Sequence, residues 1–296
     1  MKIVLFGTGQ VGQALVPVLT PLGQLAVYGH VHADFEHPER VASVIASERP
    51  DLIVNAAAYT AVDKAEFDRD RAFRVNAEAV DAIGRAARAS SAFVVHYSTD
   101  YVFDGNKGVP YLEDDDTNPQ SVYGASKLAG ESALIASRAD HLNLRICWVH
   151  SLVGNSFPLS VLKLARERDS LEAVTDQTGI PTSAYMIAEI TGQLIPHVLA
   201  NRKLGGTYHL AARGGASRYA IARHVVAAAL TKGADLKLTL EDIHPASSAQ
   251  FPTPAPRPRD SRLDTAKLRA RFGFALPTWQ SGIEDLVARL AAAGRL

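Results

Sequence analysis

Tyr123 and Lys127 stand four residues apart in the stretch SVYGASKLAGESAL, residues 121–134. Residues i and i+4 share a helix face, so a phenol and an ammonium would leave such a helix in the same direction. A phenol with a pKa of about 10 shuttles protons poorly at neutral pH. A cation about 4 Å away favours the phenolate by several kcal/mol at an effective dielectric of ~20. The expectation is that Lys127 lowers the Tyr123 pKa and makes the phenol a general acid or base. The apolar run AFVVHYST (92–99) ends on Ser98 and Thr99, and the Thr99 hydroxyl would hold a carbonyl oxygen beside the phenol. Alone, Y-x-x-x-K is common by chance, and the bland alternative is a half-buried tyrosine beside a solvated lysine. Gly124 and Gly130 argue for more. Each costs a helix interior roughly 1 kcal/mol, which makes sense where a ligand or another backbone passes close.

A second group of residues points to a dinucleotide. FGTGQVG (6–12) follows the first apolar run and opens a helical pattern, and Gly7, Gly9 and Gly12 match G-x-G-x-x-G. Glycines there permit a tight turn and a close approach of backbone to pyrophosphate, while the helix N-terminus offers free N–H groups. The acidic residue that usually closes strand two and holds the adenosine ribose is missing; Tyr28, Gly29 and His30 stand there instead. Absence of a carboxylate permits NADP(H), but no arginine follows to grip a 2′-phosphate, so NADPH and NADH both remain open.

These residues need a frame. Short apolar runs at 2–6, 24–29, 51–58, 92–99 and 142–149 alternate with helical patterns near 38–48, 69–89 and 121–137. Continuous apolar strands separated by amphipathic helices indicate a parallel sheet covered on both faces, a doubly wound α/β fold of Rossmann type. In that fold the carboxyl ends of the strands line the ligand crevice, where Thr99, Tyr123 and Lys127 would meet. Residues 1–150 read as a dinucleotide-binding domain. Residues 151–296 read as a smaller substrate-binding lobe, with about 184–230 packing back on the first. HPASSAQFPTPAPRPRDSRLD (244–264) carries five prolines and can be neither helix nor central strand. Helical patterns resume after it, so a binding loop is favoured over a linker.

Composition narrows the class. The 296 residues carry 31 acidic and 31 basic side chains, so no charge excess suggests nucleic acid or an anionic membrane as partner. No apolar run is long enough to span a bilayer. The N-terminus lacks the h-region of a signal peptide. Cys147 is the single cysteine and cannot form an internal disulfide. A reduced, cytoplasmic protein is the expectation.

The segments VNAAAYTAVDKAE (54–66), VVHYSTDYVFDG (94–105), VYGASKLAGE (122–131), RICWV (145–149), DQTGIPTSA (176–184) and FPTPAPRPRDSRLDT (251–265) carry a resemblance over nearly the whole chain. The sequence resembles the extended short-chain dehydrogenase/reductase superfamily and, within it, the dTDP-4-dehydrorhamnose reductase family. The resemblance implies NAD(P)H-dependent reduction of the C4 ketone of dTDP-4-dehydro-β-L-rhamnose, a dTDP-sugar. It implies a triad of Thr99, Tyr123 and Lys127, with Tyr123 protonating the ketone oxygen, Lys127 binding the nicotinamide ribose and Thr99 polarising the ketone. Gly9, Gln10 and Val11 would meet the pyrophosphate, Asp34 and Phe35 would flank the adenine, and Ala58, Tyr59, Thr60 and Tyr97 would line the cofactor. Asp100, Tyr101 and Trp148 would contact the sugar, and Arg257 and Arg262 would hold the nucleotide diphosphate.

Related dehydratases place a glutamate where this chain has Tyr101, which argues for plain carbonyl reduction over a redox-neutral epimerase or dehydratase. A non-catalytic dinucleotide-binding subunit is the second rival, and the intact triad argues against it. Departures from the family pattern are a glycine loop one residue shorter than G-x-x-G-x-x-G and Gly29 in place of an occasional acidic residue. Ala14 and Tyr185 stand where some members carry Mg²⁺-binding glutamates. A hard cation prefers carboxylate oxygens, so Mg²⁺ is not expected, and the chain would be a monomer or a weak homodimer without a metal bridge.

Overall fold

The computed structural model describes residues 1–296. In the first half, strands β1 (Lys2–Phe6), β2 (Gln24–Tyr28), β3 (Leu52–Asn55), β4 (Phe93–Thr99) and β5 (His141–Ile146) alternate with helices α1 (Gln10–Leu19), α2 (Pro38–Glu48), α3 (Val62–Ala65), α4 (Arg69–Phe73), α5 (Ala79–Ser90) and α6 (Val122–Ala136). The second half holds β6 (Val149–His150), α7 (Phe157–Glu167), β7 (Leu171–Val174), β8 (Thr178–Gly179), β9 (Thr182–Ser183), α8 (Ala184–Ala200), β10 (Gly206–His209), β11 (Ala216–Ser217), α9 (Arg218–Thr231), β12 (Ile243–Ala246), α10 (Ala266–Phe272) and α11 (Trp279–Ala292).

Six strands form one parallel sheet in the order β10-β5-β4-β3-β1-β2. β3 and β4 are buried along their whole length, as continuous apolar runs covered on both faces require. The doubly wound reading of the sequence therefore holds. The sixth strand, β10, comes from the second half of the chain, and α8 packs against α1. A single apolar cluster of 50 buried residues joins α1 and the sheet to α7, α8, α9 and α11. A smaller cluster of 15 lies under α2 and α5. The division near residue 150 is thus one of chain order more than of space.

One local feature differs from the sequence expectation. The helix expected over 69–89 is interrupted by a π-helical turn, Arg74–Glu78, which turns Asn76 into the interior. Such turns insert one extra residue per turn and re-aim a side chain. The proline-rich segment is ordered: Arg259 O accepts from Thr178 N, Asp260 N donates to Gly105 O, and Ala255 N donates to Asp63 of α3.

Candidate active site

The nucleotide end is built by β1 and the turn after it. Gly7 has φ +99°, and a Cβ there would stand 2.6 Å from the Ala56 backbone. Gly12 presses on the Gly7 carbonyl, so it shapes the turn and does not line the cleft. Gly9 caps α1 without a side-chain hydrogen bond, which leaves the first N–H groups of the helix free for an anion. On the neighbouring strand end, Asn76 of the π-turn accepts from Tyr59 N at 2.8 Å, donates to Tyr59 O at 3.0 Å and donates to Ser126 Oγ of α6 at 3.0 Å. One buried amide thus ties the Ala58–Thr60 loop to the helix that carries Tyr123.

The catalytic end is set by helix α6. Ser121 accepts from Gly124 N at 3.1 Å and starts the helix, which puts Tyr123 in its first turn. A Cβ on Gly124 would stand 2.2 Å from Tyr101 O, and one on Gly130 would stand 2.1 Å from Asn76 O. Backbone passes close at both glycines, which is why the helix carries them. Tyr101 follows β4, and its ring meets the Tyr123 ring edge-on at 5.7 Å. Thr99 is buried; its hydroxyl donates to Asp100 Oδ1 at 3.1 Å and accepts from Tyr101 N at 3.2 Å.

These elements enclose a cleft of about 970 Å³. Gly7, Gly9, Gln10, Val11, Asp34, Phe35, Ala58, Tyr59, Thr60, Tyr97, Thr99, Tyr101, Tyr123, Lys127 and Trp148 line it. Asp100 lies beneath it, fully buried, with Cys147 Sγ donating to Asp100 Oδ2 at 3.1 Å. Burial pushes the Asp100 carboxyl above its ordinary range against hydrogen bonds from Ser261, Cys147 and Thr99. Tyr97 turns its hydroxyl out of the cleft onto Thr191 of α8, at 2.8 Å.

Three sequence expectations are corrected. Lys127 does not lower Tyr123 here: burial pushes the phenol up, with the Thr99 hydroxyl pulling the other way. Lys127 Nζ is directed instead at Tyr97 O, 2.6 Å away, and burial lowers its ammonium to about 8. Shared helix face fixes a direction, but a four-carbon stem reaches past the phenol to the end of β4. Second, Arg262 lies outside the cleft, paired with Asp260 at 2.6 Å and donating to Gly108 O. Third, an arginine does reach the adenosine end. Arg71 arrives from α4 and pairs with Glu36 at 2.6 Å. Arg257 sits at the α3 side, paired with Asp63 at 2.7 Å. Ala14 is buried, and Tyr185 carries Arg289 over its ring at 4.5 Å.

Three residues escaped the sequence reading: Asn76, Arg71 and Arg218. Arg218 opens α9 and lines the cleft, its Cζ 3.7 Å from the centroid of Trp148. Trp148 itself has φ +41°, a left-handed conformation that costs a non-glycine residue about 1–3 kcal/mol and marks functional positions. No motif announced any of the three; each depends on a contact between distant segments.

A parallel doubly wound sheet, a glycine turn at β1 and a Thr–Tyr–Lys set at the strand ends define an NAD(P)-dependent oxidoreductase of the extended short-chain type. Residues 1–292 match the family described as RmlD substrate binding domain, and the chain belongs to that family. It is similar to the dTDP-4-dehydrorhamnose reductase of Escherichia coli (strain K12), 45% identical over 98% of each chain. Among solved structures it is similar to the dTDP-4-dehydrorhamnose reductase of Clostridium acetobutylicum, with TM-score 0.89, 30% identity and coverage of 98% and 99%. A third relative is the Bacillus anthracis reductase solved in complex with NADP, with TM-score 0.88, 29% identity and coverage of 97% and 99%. The family resemblance drawn from the motifs is thereby borne out.

Proposed function

We propose that this protein reduces the C4 ketone of dTDP-4-dehydro-β-L-rhamnose to dTDP-β-L-rhamnose with NADPH or NADH. The observation that carries the reading is the convergence of Thr99, Tyr123 and Lys127 on one cleft whose other end is a glycine turn and an uncapped helix N-terminus. The cleft fits a dinucleotide: Gln10 Oε1 and Ser98 Oγ are buried there without partners, and the phosphate turn has no room for side chains at Gly7 and Gly12. The Bacillus anthracis relative binds NADP, which supports the same cofactor here. When bound, the nicotinamide supplies the hydride.

The chain's own residues do the rest. Tyr123, protonated at neutral pH as an ordinary phenol is, is the proton donor to the ketone oxygen. Lys127, still largely charged at pH 7, offers hydrogen bonds to the ribose hydroxyls. Asp100 lies beneath the site and accepts from the Thr99 hydroxyl, which orients Thr99 beside the ketone. Tyr101 in place of a glutamate leaves no second acid–base group for water elimination.

The test is oxidation of NADPH, followed by absorbance, with the enzymatically prepared keto-sugar nucleotide. Wild type is expected to turn over, and Tyr123→Phe to lose roughly 10²–10⁴-fold in kcat with its NADPH affinity retained. Conversion of the sugar without net NADPH consumption would replace the reading by a redox-neutral epimerase or dehydratase.

A further inference from the structure

Arg218 is half-buried in the cleft wall, yet its guanidinium forms no ion pair and no hydrogen bond within the protein. It lies between two aromatic rings, with Cζ 3.7 Å from the Trp148 centroid and 4.8 Å from that of Phe157. Trp148 is held there by its left-handed backbone and by Gly179, where a Cβ would stand 2.3 Å from Trp148 Cε2. A guanidinium that rests on aromatic rings uses its faces and leaves its in-plane N–H donors free. The other cations of the cleft wall are engaged: Arg71 with Glu36, and Lys127 with Tyr97 O.

Arg257, in the proline-rich segment, does not line the cleft. Arg257 Nη2 pairs with Asp63, and its Nη1 is buried without a partner. Tyr101 lines the same cleft as Arg218. Tyr101 in turn touches Tyr123. A stacked cation with no counter-ion, on the wall of the cleft that holds the proton donor, forms a site for an anionic group that extends from the reacting ketone.

Resting on the sugar-nucleotide reading above, we propose that Arg218, stacked on Trp148, is the principal anchor of the substrate diphosphate. Trp148 then serves binding as a rest for Arg218 rather than as a platform for the sugar. The diphosphate of the dinucleotide has its own site in the turn at Gly9–Val11.

Thymidine diphosphate is the probe, titrated by calorimetry into wild type, Arg218→Met, Arg218→Lys and Trp148→Leu, with NADPH titrated separately as a check on the fold. Arg218→Met keeps the bulk against both rings and removes the charge. It is expected to weaken thymidine diphosphate roughly ten-fold or more while NADPH affinity stays within about two-fold. Arg218→Lys keeps the charge without the fork and is expected to lose several-fold, which carries the test if the Met variant does not fold. In a double variant, Trp148→Leu is expected to add little to Arg218→Met, because its effect passes through that guanidinium. Wild-type affinity for thymidine diphosphate in Arg218→Met overturns the proposal. So does loss of NADPH in its place, which would assign the guanidinium to the cofactor. Failure of wild type to bind thymidine diphosphate at all overturns the sugar-nucleotide reading and the anchor with it.

Discussion

At the level of single residues, the proposed catalytic trio was legible because each member carries its chemistry in its side-chain type. Tyr123 and Lys127 are four apart on a helix, and Thr99 ends an apolar strand. The electrostatic detail was not legible. Spacing on a helix says nothing of how far a lysine stem extends, and Lys127 reaches Tyr97 O instead of the phenol. Its depressed ammonium has a consequence for pH dependence. Lys127 works as a cation, and burial brings its pKa down to about 8, so the charged form is lost as pH rises through that value. A pH profile of kcat/KM is therefore expected to fall with a single-proton limb above pH about 8. Lys127→Arg, which stays charged, is expected to show no such limb. A wild-type profile that stays flat through the ordinary lysine range would sink the assignment of the limb to Lys127.

Elements explain what the residues could not. Helix α6 carries Tyr123, but its placement depends on three contacts from far along the chain: the Tyr101 carbonyl at Gly124, Asn76 at Ser126, and Asn76 O at Gly130. The sequence showed the two glycines as oddities in a helix; their partners emerged only when the π-turn and the turn after β4 were placed beside them. Asn76 was hidden because its helical pattern looked regular. Arg218 was hidden because an arginine opening a helix reads as solvated until Trp148 is seen beneath it. The contact at Gly124 predicts the effect of one methyl group. Gly124→Ala pushes α6 away from Tyr101 O, which is 2.2 Å from the new Cβ, and backbone on both sides cannot yield cheaply. The expected result is a lowered thermal midpoint together with at least a ten-fold fall in kcat, since Tyr123 moves with the helix. Stability and kcat both at wild-type level would show that the helix start is softer than this contact implies.

For the molecule as a whole, the shared core sets how it meets acid. His96, His150 and His209 are fully buried. Burial holds His150 at about 4, His209 at about 3 and His96 well below 6.5. Both ring nitrogens of His150 lack partners. Each histidine is neutral when folded and takes a proton below about 6.5 when unfolded, so the unfolded chain binds more protons as pH drops toward 4. Stability is lost over that window, and the thermal midpoint is expected to fall by several degrees between pH 7 and pH 5. His150→Phe, which cannot take a proton, is expected to reduce that slope even if it shifts the midpoint. A midpoint constant across the window would count against the buried histidines as its cause.

The doubly wound order of the first half was legible because apolar runs and helices alternate there. The way in which the second half returns to the sheet was less so, because β10 is only four residues long and is placed by its neighbour β5. That late return governs how the chain can be made. A nascent polypeptide that has emerged only through β5 presents an unpaired strand edge at the border of its sheet, with α1 lacking the cover of α8. Open edges of this kind recruit other strands. On the ribosome the nucleotide-binding half therefore stays incomplete until Gly206–His209 has emerged, and it closes only when more than two-thirds of the polypeptide has been synthesised.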